Sequence, residues 1–312
     1  MNRNKLIQHI ELWKAKLGSY SKVAQKCGIN VGTLSTIMAR KYGADESNML
    51  GKIAAALDYK DSKWTIVRTI GNYRRIAQAV EDAKTEKMWF AVSNKAGSCK
   101  TVTLEDIYNQ DTTGSVVLIQ AEEWSARQFL MQLIAKTIGI VALKGEYKTN
   151  SELLQMVADY FNEQVFNDPI LLIDEADKLR PAALRLFIPL FNKTEDRLGV
   201  VISGTENLQK EIRQGVRLAK KGYDEIDSRI GRSYIELKGA TEKEVYQICE
   251  ANGITDELTQ ESIWNRVEKI KKITTVRTKT GTKEKMIDYA EDFRRIKRLV
   301  KREVLLKKRA KQ

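Results

Sequence analysis

The chain has 312 residues, 42% hydrophobic and 30% charged, which is enough apolar material for one large domain with one or two small ones. Its formal net charge of +13 points to a polyanionic partner, most simply nucleic acid, with ribosome or membrane surfaces left open. A single histidine, His9, excludes most metal-hydrolase and Ser/Cys–His chemistries, and Cys27, Cys99 and Cys249 fit neither a disulfide framework nor a zinc site. No apolar run reaches bilayer length and the N-terminal stretch shows no signal-like h-region; the cysteine usage makes a reducing cytoplasm the expectation.

Residues 1–58 predict a small helical module. Leu6, Ile7, Ile10, Trp13 and Leu17 recur at helical spacing, and Gly18 ends that helix. A short helix follows with Ala24 facing inward and Gly28 closing it, then a tight turn at Ile29-Asn30 and a further helix from Val31 to Arg40. A small residue four before a turn glycine lets two helices cross closely, the helix-turn-helix pattern. Thr33, Ser35, Arg40 and Lys41 are its candidate DNA contacts, and a protein-docking module is the alternative. Met49, Leu50, Ile53 and Leu57 supply the closing helix, and residues 59–86 read as a linker and leading helix.

Residues 87–240 predict the main domain, an α/β nucleotide-binding core. The stretch KMWFAVSNKAGSCKTVT (87–103) reads as a buried strand, a small-residue turn, and Lys100-Thr101 opening a helix. That layout is a P-loop: backbone N–H groups face an anion, Lys100 reaches the outer phosphates of ATP, and the Thr101 hydroxyl ligates Mg²⁺. Asn94, Ala96, Gly97, Ser98, Cys99, Lys100, Thr101 and Val102 form the expected cradle, although a P-loop wants Gly where Asn94 and Cys99 stand. About 75 residues on, DPILLIDEADKL (168–179) places Asp174-Glu175 at the end of an apolar strand. Asp174 would hold the Mg²⁺ shell and Glu175 would orient or deprotonate the attacking water.

Around these, SVVLIQ (115–120) and LGVVIS (198–203) predict strands, and 126–138, 151–164 and 181–191 predict helices. Fully apolar strands alternating with helices imply a parallel sheet covered on both faces, with ligand at the strands' carboxyl ends. Thr205 lies at such an end, either bonding the γ-phosphate or water or serving only the turn. Arg229 and Arg232 precede a strand expected at 234–237, placed to neutralise transition-state charge on a neighbouring subunit or to lie in a solvated turn. Lys144, Lys148, Lys178 and Arg180, from loops on the ligand side, are candidates for gripping DNA phosphates. From 241 to 312 the pattern becomes a helical lid, interrupted by a mobile or hairpin-like segment at 271–285 and ending in a long basic helix over 286–312.

The P-loop, DEAD at 174–177, Gly204-Thr205 and SRIGR at 228–232, in that order, resemble the AAA+ ATPases. With INVGTLSTIMARKY at 29–42, the chain resembles the MuB/TnsC/IstB-like group of transposition regulators within them. That resemblance implies ATP bound at subunit interfaces and homo-oligomeric filaments or rings on double-stranded DNA. It also implies target-site selection for a mobile element and stimulation of a DDE transposase. It makes Lys100 and Thr101 the Walker A pair, Asp174 and Glu175 Walker B, Thr205 sensor 1, Arg229 or Arg232 the trans-acting arginine and Arg294 the sensor 2 arginine. With Asn94 and Cys99 in the loop, weak ATP turnover is expected. Two rival readings are a helix-turn-helix transcription regulator with a degenerate ATPase domain and a helicase loader.

Overall fold

The computed structural model describes residues 3–43, 46–59, 64–143, 145–278 and 281–310. Two compact units emerge, Met1–Trp64 with Asp106–Val116, and Thr65–Glu105 with Val117–Gln312.

The first unit contains α1 (Arg3–Leu17), α2 (Tyr20–Cys27), α3 (Val31–Met38) and α4 (Glu46–Ala56). Leu6, Ile10, Val23, Ala24, Leu34, Ile37 and Ile53 are buried together, so the apolar period of each helix finds the others. The tight turn forms as its residues require. Gly28 sits at φ 62° and donates to the carbonyls of Ala24 and Gln25, ending α2 in a left-handed cap, and the Asn30 side chain accepts from Gly32 N–H to start α3. Thr33 is half-buried, while Ser35, Arg40 and Lys41 are exposed on and after α3, with Arg40 donating to Asn4 at 3.0 Å. Lys16 lies over the Tyr108 ring at 4.0 Å and donates to the Tyr108 carbonyl, and burial pushes its ammonium down to about 8. His9 is a packing residue, its Nε2 2.9 Å from the Leu57 carbonyl.

The second unit opens with α5 (Gly71–Glu86), β1 (Trp89–Ser93) and the start of α6 (Lys100–Gln110), which from Asp106 on belongs to the first unit, then β2 (Val116–Gln120), α7 (Ala126–Thr137) and α8 (Asn150–Glu163). It continues with β3 (Ile170–Asp174), α9 (Pro181–Leu184), α10 (Phe187–Thr194), β4 (Gly199–Gly204), α11 (Glu206–Arg217) and α12 (Tyr223–Arg229). The four strands stand in the order β1-β4-β3-β2, with β1 and β3 each parallel to β4, Ala91 opposite Ile202 and Leu172 opposite Val201. β3 and β4 are buried throughout, as their unbroken apolar runs demand of strands covered on both faces. Ala91, Phe129, Leu133, Leu171, Ile173 and Ile202 belong to one continuous core. The expected α/β core, a parallel sheet covered by helices with the P-loop stretch after β1, is therefore present.

After α13 (Glu242–Ala251) and α14 (Glu257–Asn265), β5 (Lys269–Thr278) and β6 (Gly281–Ala290) pair antiparallel, and α15 (Phe293–Arg309) closes the chain. The hairpin alternative for 271–285 is the one seen, with Lys279 and Thr280 outside the described residues.

Three expectations change. The strand at 234–237 shrinks to one bridge between Tyr234 and Ala91, because the next carbonyls are taken by side chains: Arg75 donates to Glu236 O, and Asn94 and Lys272 donate to Leu237 O. The helix at 181–191 splits into α9 and α10, since Pro189 has no N–H and its ring excludes the carbonyl four residues earlier. Residues 286–290 are strand, not helix. Tyr289 and Ala290 bury themselves beside Ala240, and the helix waits for Asp292, whose carboxylate accepts from Arg295 N–H at 3.0 Å.

Candidate nucleotide site

β1, β3 and β4 deliver their carboxyl ends to one edge of the sheet, and the loop from Asn94 to Cys99 leads from β1 into α6 there. Cys99 stands at φ 68°, so the position where glycine was wanted keeps the left-handed backbone with a side chain attached. Asn94 answers differently. Its amide donates to Leu237 O at 3.0 Å, turning the missing glycine into a tether. At Gly97 a φ of 87° strains any side chain, and a Cβ would lie 2.5 Å from Asp292 Oδ1, which would have to move.

Lys100 is buried and folds over the loop, donating to Asn94 O at 2.7 Å, Lys95 O at 3.0 Å and Ser98 Oγ at 3.0 Å. Burial lowers its pKa, opposed by the charges of Asp174 and Asp177. Thr101 Oγ1 donates to Asp174 Oδ2 at 2.6 Å, and Ser203 Oγ donates to the other oxygen of the same carboxylate. Residues 73 positions apart in sequence are thus joined at the sheet edge. Of the rest of the cradle, Ala96 is exposed, Val102 is half-buried, and Ser98 is buried with its hydroxyl on Lys95 O at 2.8 Å.

Glu175 adopts φ 55°, which turns its carboxylate out of the strand toward Lys178 Nζ at 2.6 Å and Gln120 Nε2 at 3.2 Å. Thr205 caps α11, accepting from Asn207 N–H, and its hydroxyl donates to Asp177 Oδ2 at 2.6 Å. α15 begins beside the loop. Phe293 N–H donates to Gly97 O at 2.9 Å, and Arg294 is near enough to Lys100 to weigh against its charge. Arg229 and Arg232 bond elsewhere, Arg229 with Asn192 Oδ1 and Glu225 O, Arg232 with Asp224. Lys148 is half-buried, its carbonyl accepting from Arg127, and Arg180 is exposed at the start of α9. Lys144 lies outside the described residues.

Asn72, Ser203 and Gln120 escape a reading of the sequence, and Asp177 is legible there only as the last residue of DEAD. Asn72, buried on α5, donates to Ser98 O at 3.2 Å and accepts from Gly239 N–H at 3.0 Å, fixing the loop from behind. Ser203 and Asp177 complete the acidic cluster, and Gln120 restrains Glu175. A polar residue at the end of an apolar strand was the available signal for Ser203 and Gln120; nothing in the sequence marks Asn72.

With this geometry in view, comparison with known proteins finds one family model that matches part of the chain. Residues 84–212 match the AAA domain. No curated protein matches the chain. Among solved structures it is similar to Cdc6p from Pyrobaculum aerophilum, with 15% identity, a TM-score of 0.43, and coverage of 61% of this chain and 52% of that one. It is also similar to Drosophila ORC bound to DNA, with 12% identity, a TM-score of 0.40, and coverage of 76% and 59%. The chain thus spans between half and three fifths of those two chains. No helix among the described residues is long and apolar enough to cross a membrane.

The donor set at the sheet edge fits a nucleoside triphosphate with Mg²⁺: a buried ammonium in a left-handed loop, and a hydroxyl and carboxylate already in contact.

Proposed function

We propose that this chain is an ATPase whose bound nucleotide governs its oligomerisation on double-stranded DNA. On this reading it chooses target DNA for a mobile element and activates a DDE transposase. The observation that carries the nucleotide part is the contact between Thr101 and Asp174 beside the buried Lys100. Lys100 would neutralise phosphate charge, Thr101 and Asp174 would hold Mg²⁺, and Glu175 would orient water once released from Lys178. Thr205 and Arg294 would complete the site from α11 and α15, and Arg229 or Arg232 would serve the nucleotide of an adjacent copy. Turnover is slow on this account because Glu175 is held off by Lys178 and Gln120.

The DNA part rests on the net charge of +13 and on the exposed Ser35, Arg40, Lys41, Lys178 and Arg180. Such contacts grip phosphates without reading bases, so binding is salt-sensitive and sequence-tolerant. The transposition role rests on the motif resemblance alone. The test is duplex binding and particle size with ATP, without it, and for Lys100→Ala, followed by strand transfer by a candidate transposase. Equal binding and size in all three samples would remove the proposal, and protection of one operator sequence would replace it with a transcription regulator.

A further inference from the structure

One carboxylate stands between the P-loop and the β5–β6 hairpin. Glu291, the residue after β6, pairs with Lys95 of the loop at 2.8 Å and with Lys272 of β5 at 3.3 Å. Its side chain is 16% exposed and that of Lys272 22%, so their pair is shielded from solvent, whereas Lys95 is 54% exposed and more easily drawn away. A second link runs through the backbone: Leu237 O accepts from Asn94 of the loop and from Lys272 of the hairpin. Loop and hairpin therefore share a charge and a carbonyl.

The hairpin is built to meet a polyanion. Residues 269–290 contain seven Lys and Arg against two Asp and Glu, with a run of threonines among them. Lys283 and Lys285, two apart on β6, project from one face and are exposed. That spacing puts their stems about 7 Å apart along the strand, and a two-stranded ribbon of this kind fits the major groove of a duplex. An acidic protein surface would match the charge, but it offers no regular row of phosphates for lysine and threonine donors.

We propose that the β5–β6 hairpin is a duplex-gripping arm, with Lys283 and Lys285 on phosphates, whose setting is tied to the P-loop through Glu291. An anion entering the loop offers Lys95 a second partner. As Lys95 turns toward it, Glu291 is left to Lys272, and the hairpin shifts relative to the loop. This inference rests on the reading of the chain as a nucleotide-controlled DNA-binding protein.

The experiment measures affinity for duplexes of unrelated sequence across a salt series, with and without a non-hydrolysable ATP analogue. It uses the full chain, the double variant Lys283→Gln/Lys285→Gln, and Glu291→Gln, with a fluorescent analogue reporting nucleotide binding separately. For the double variant the slope of log affinity against log salt falls by about 1.8, while analogue affinity is unchanged. For Glu291→Gln, duplex affinity persists but its ratio with and without analogue falls toward one. A wild-type salt slope in the double variant, or a wild-type ratio in Glu291→Gln, overturns this inference and leaves the proposed function standing. Wild-type binding that ignores nucleotide sinks both. Preferential binding of a poly-glutamate probe over duplex, lost in the double variant, would reassign the arm to an acidic protein.

Discussion

At the scale of single residues, Cys99 shows how a P-loop survives the loss of a glycine. Its left-handed φ of 68° costs about 1–2 kcal/mol for a side chain that would prefer the right-handed region. The loop holds it there because Asn72 fixes the preceding carbonyl and Lys100 bonds across the turn. Since the backbone is already glycine-like, Cys99→Gly should leave nucleotide affinity within about threefold. Cys99→Val should lower affinity or melting stability by about 1–3 kcal/mol, because a β-branched side chain is a true outlier at positive φ. Nucleotide titration with a melting curve checks both, and equal behaviour of the two variants would contradict the strain argument. Burial also pushes the Cys99 thiol up to about 12, so alkylation at pH 8 should be slow in the folded chain and fast in denaturant.

At the scale of elements, the helical module has a pH dependence of its own. The pKa of Lys16 falls from 10.5 unfolded to about 8 folded, chiefly through burial. A lowered lysine pKa means the unfolded chain binds more protons between those values, so stability rises with pH across that window. The cost of burying the charge is fully present below pH 8 and is gone above the unfolded value. Chemical denaturation of wild type and Lys16→Met, followed by amide exchange in α1, should therefore show the wild type gaining on the variant from pH 8 to 10.5. A constant difference would mean that Lys16 is not desolvated. The four strands of the sheet, the P-loop and the turn at Gly28 were legible in the sequence because each carries its own local pattern of apolar run or turn residues. The shrinking of 234–237 to a bridge was not, because it depends on Arg75, Asn94 and Lys272 from three other elements. The paired carboxylate of Asp174 was legible by motif, but its bond from Ser203 was visible only once β4 lay beside β3.

At the scale of the whole molecule, the question is which arginine could serve another copy's nucleotide. Arg229 is committed inside its own chain. It donates to Asn192 and to Glu225 O, lies over the Phe191 ring at 5.2 Å, and leaves its side chain 16% exposed. Arg232 is 55% exposed and pairs with Asp224, itself 67% exposed. An exposed pair of that kind contributes about 0–1 kcal/mol and gives way readily to a phosphate. Arg232→Ala should therefore fold and bind nucleotide as the wild type does, yet lose DNA-stimulated turnover on the order of 10³-fold along with nucleotide-dependent assembly. Arg229→Ala should instead destabilise the fold by about 1–3 kcal/mol. Mixing decides whether the site is shared. In an equal mixture of Arg232→Ala and Lys100→Ala, head-to-tail assembly pairs an intact loop with an intact arginine at about a quarter of the interfaces, so turnover should reappear. A mixture as inactive as its components would mean that no site is completed by a neighbouring copy, and Arg232 would lose its role in trans.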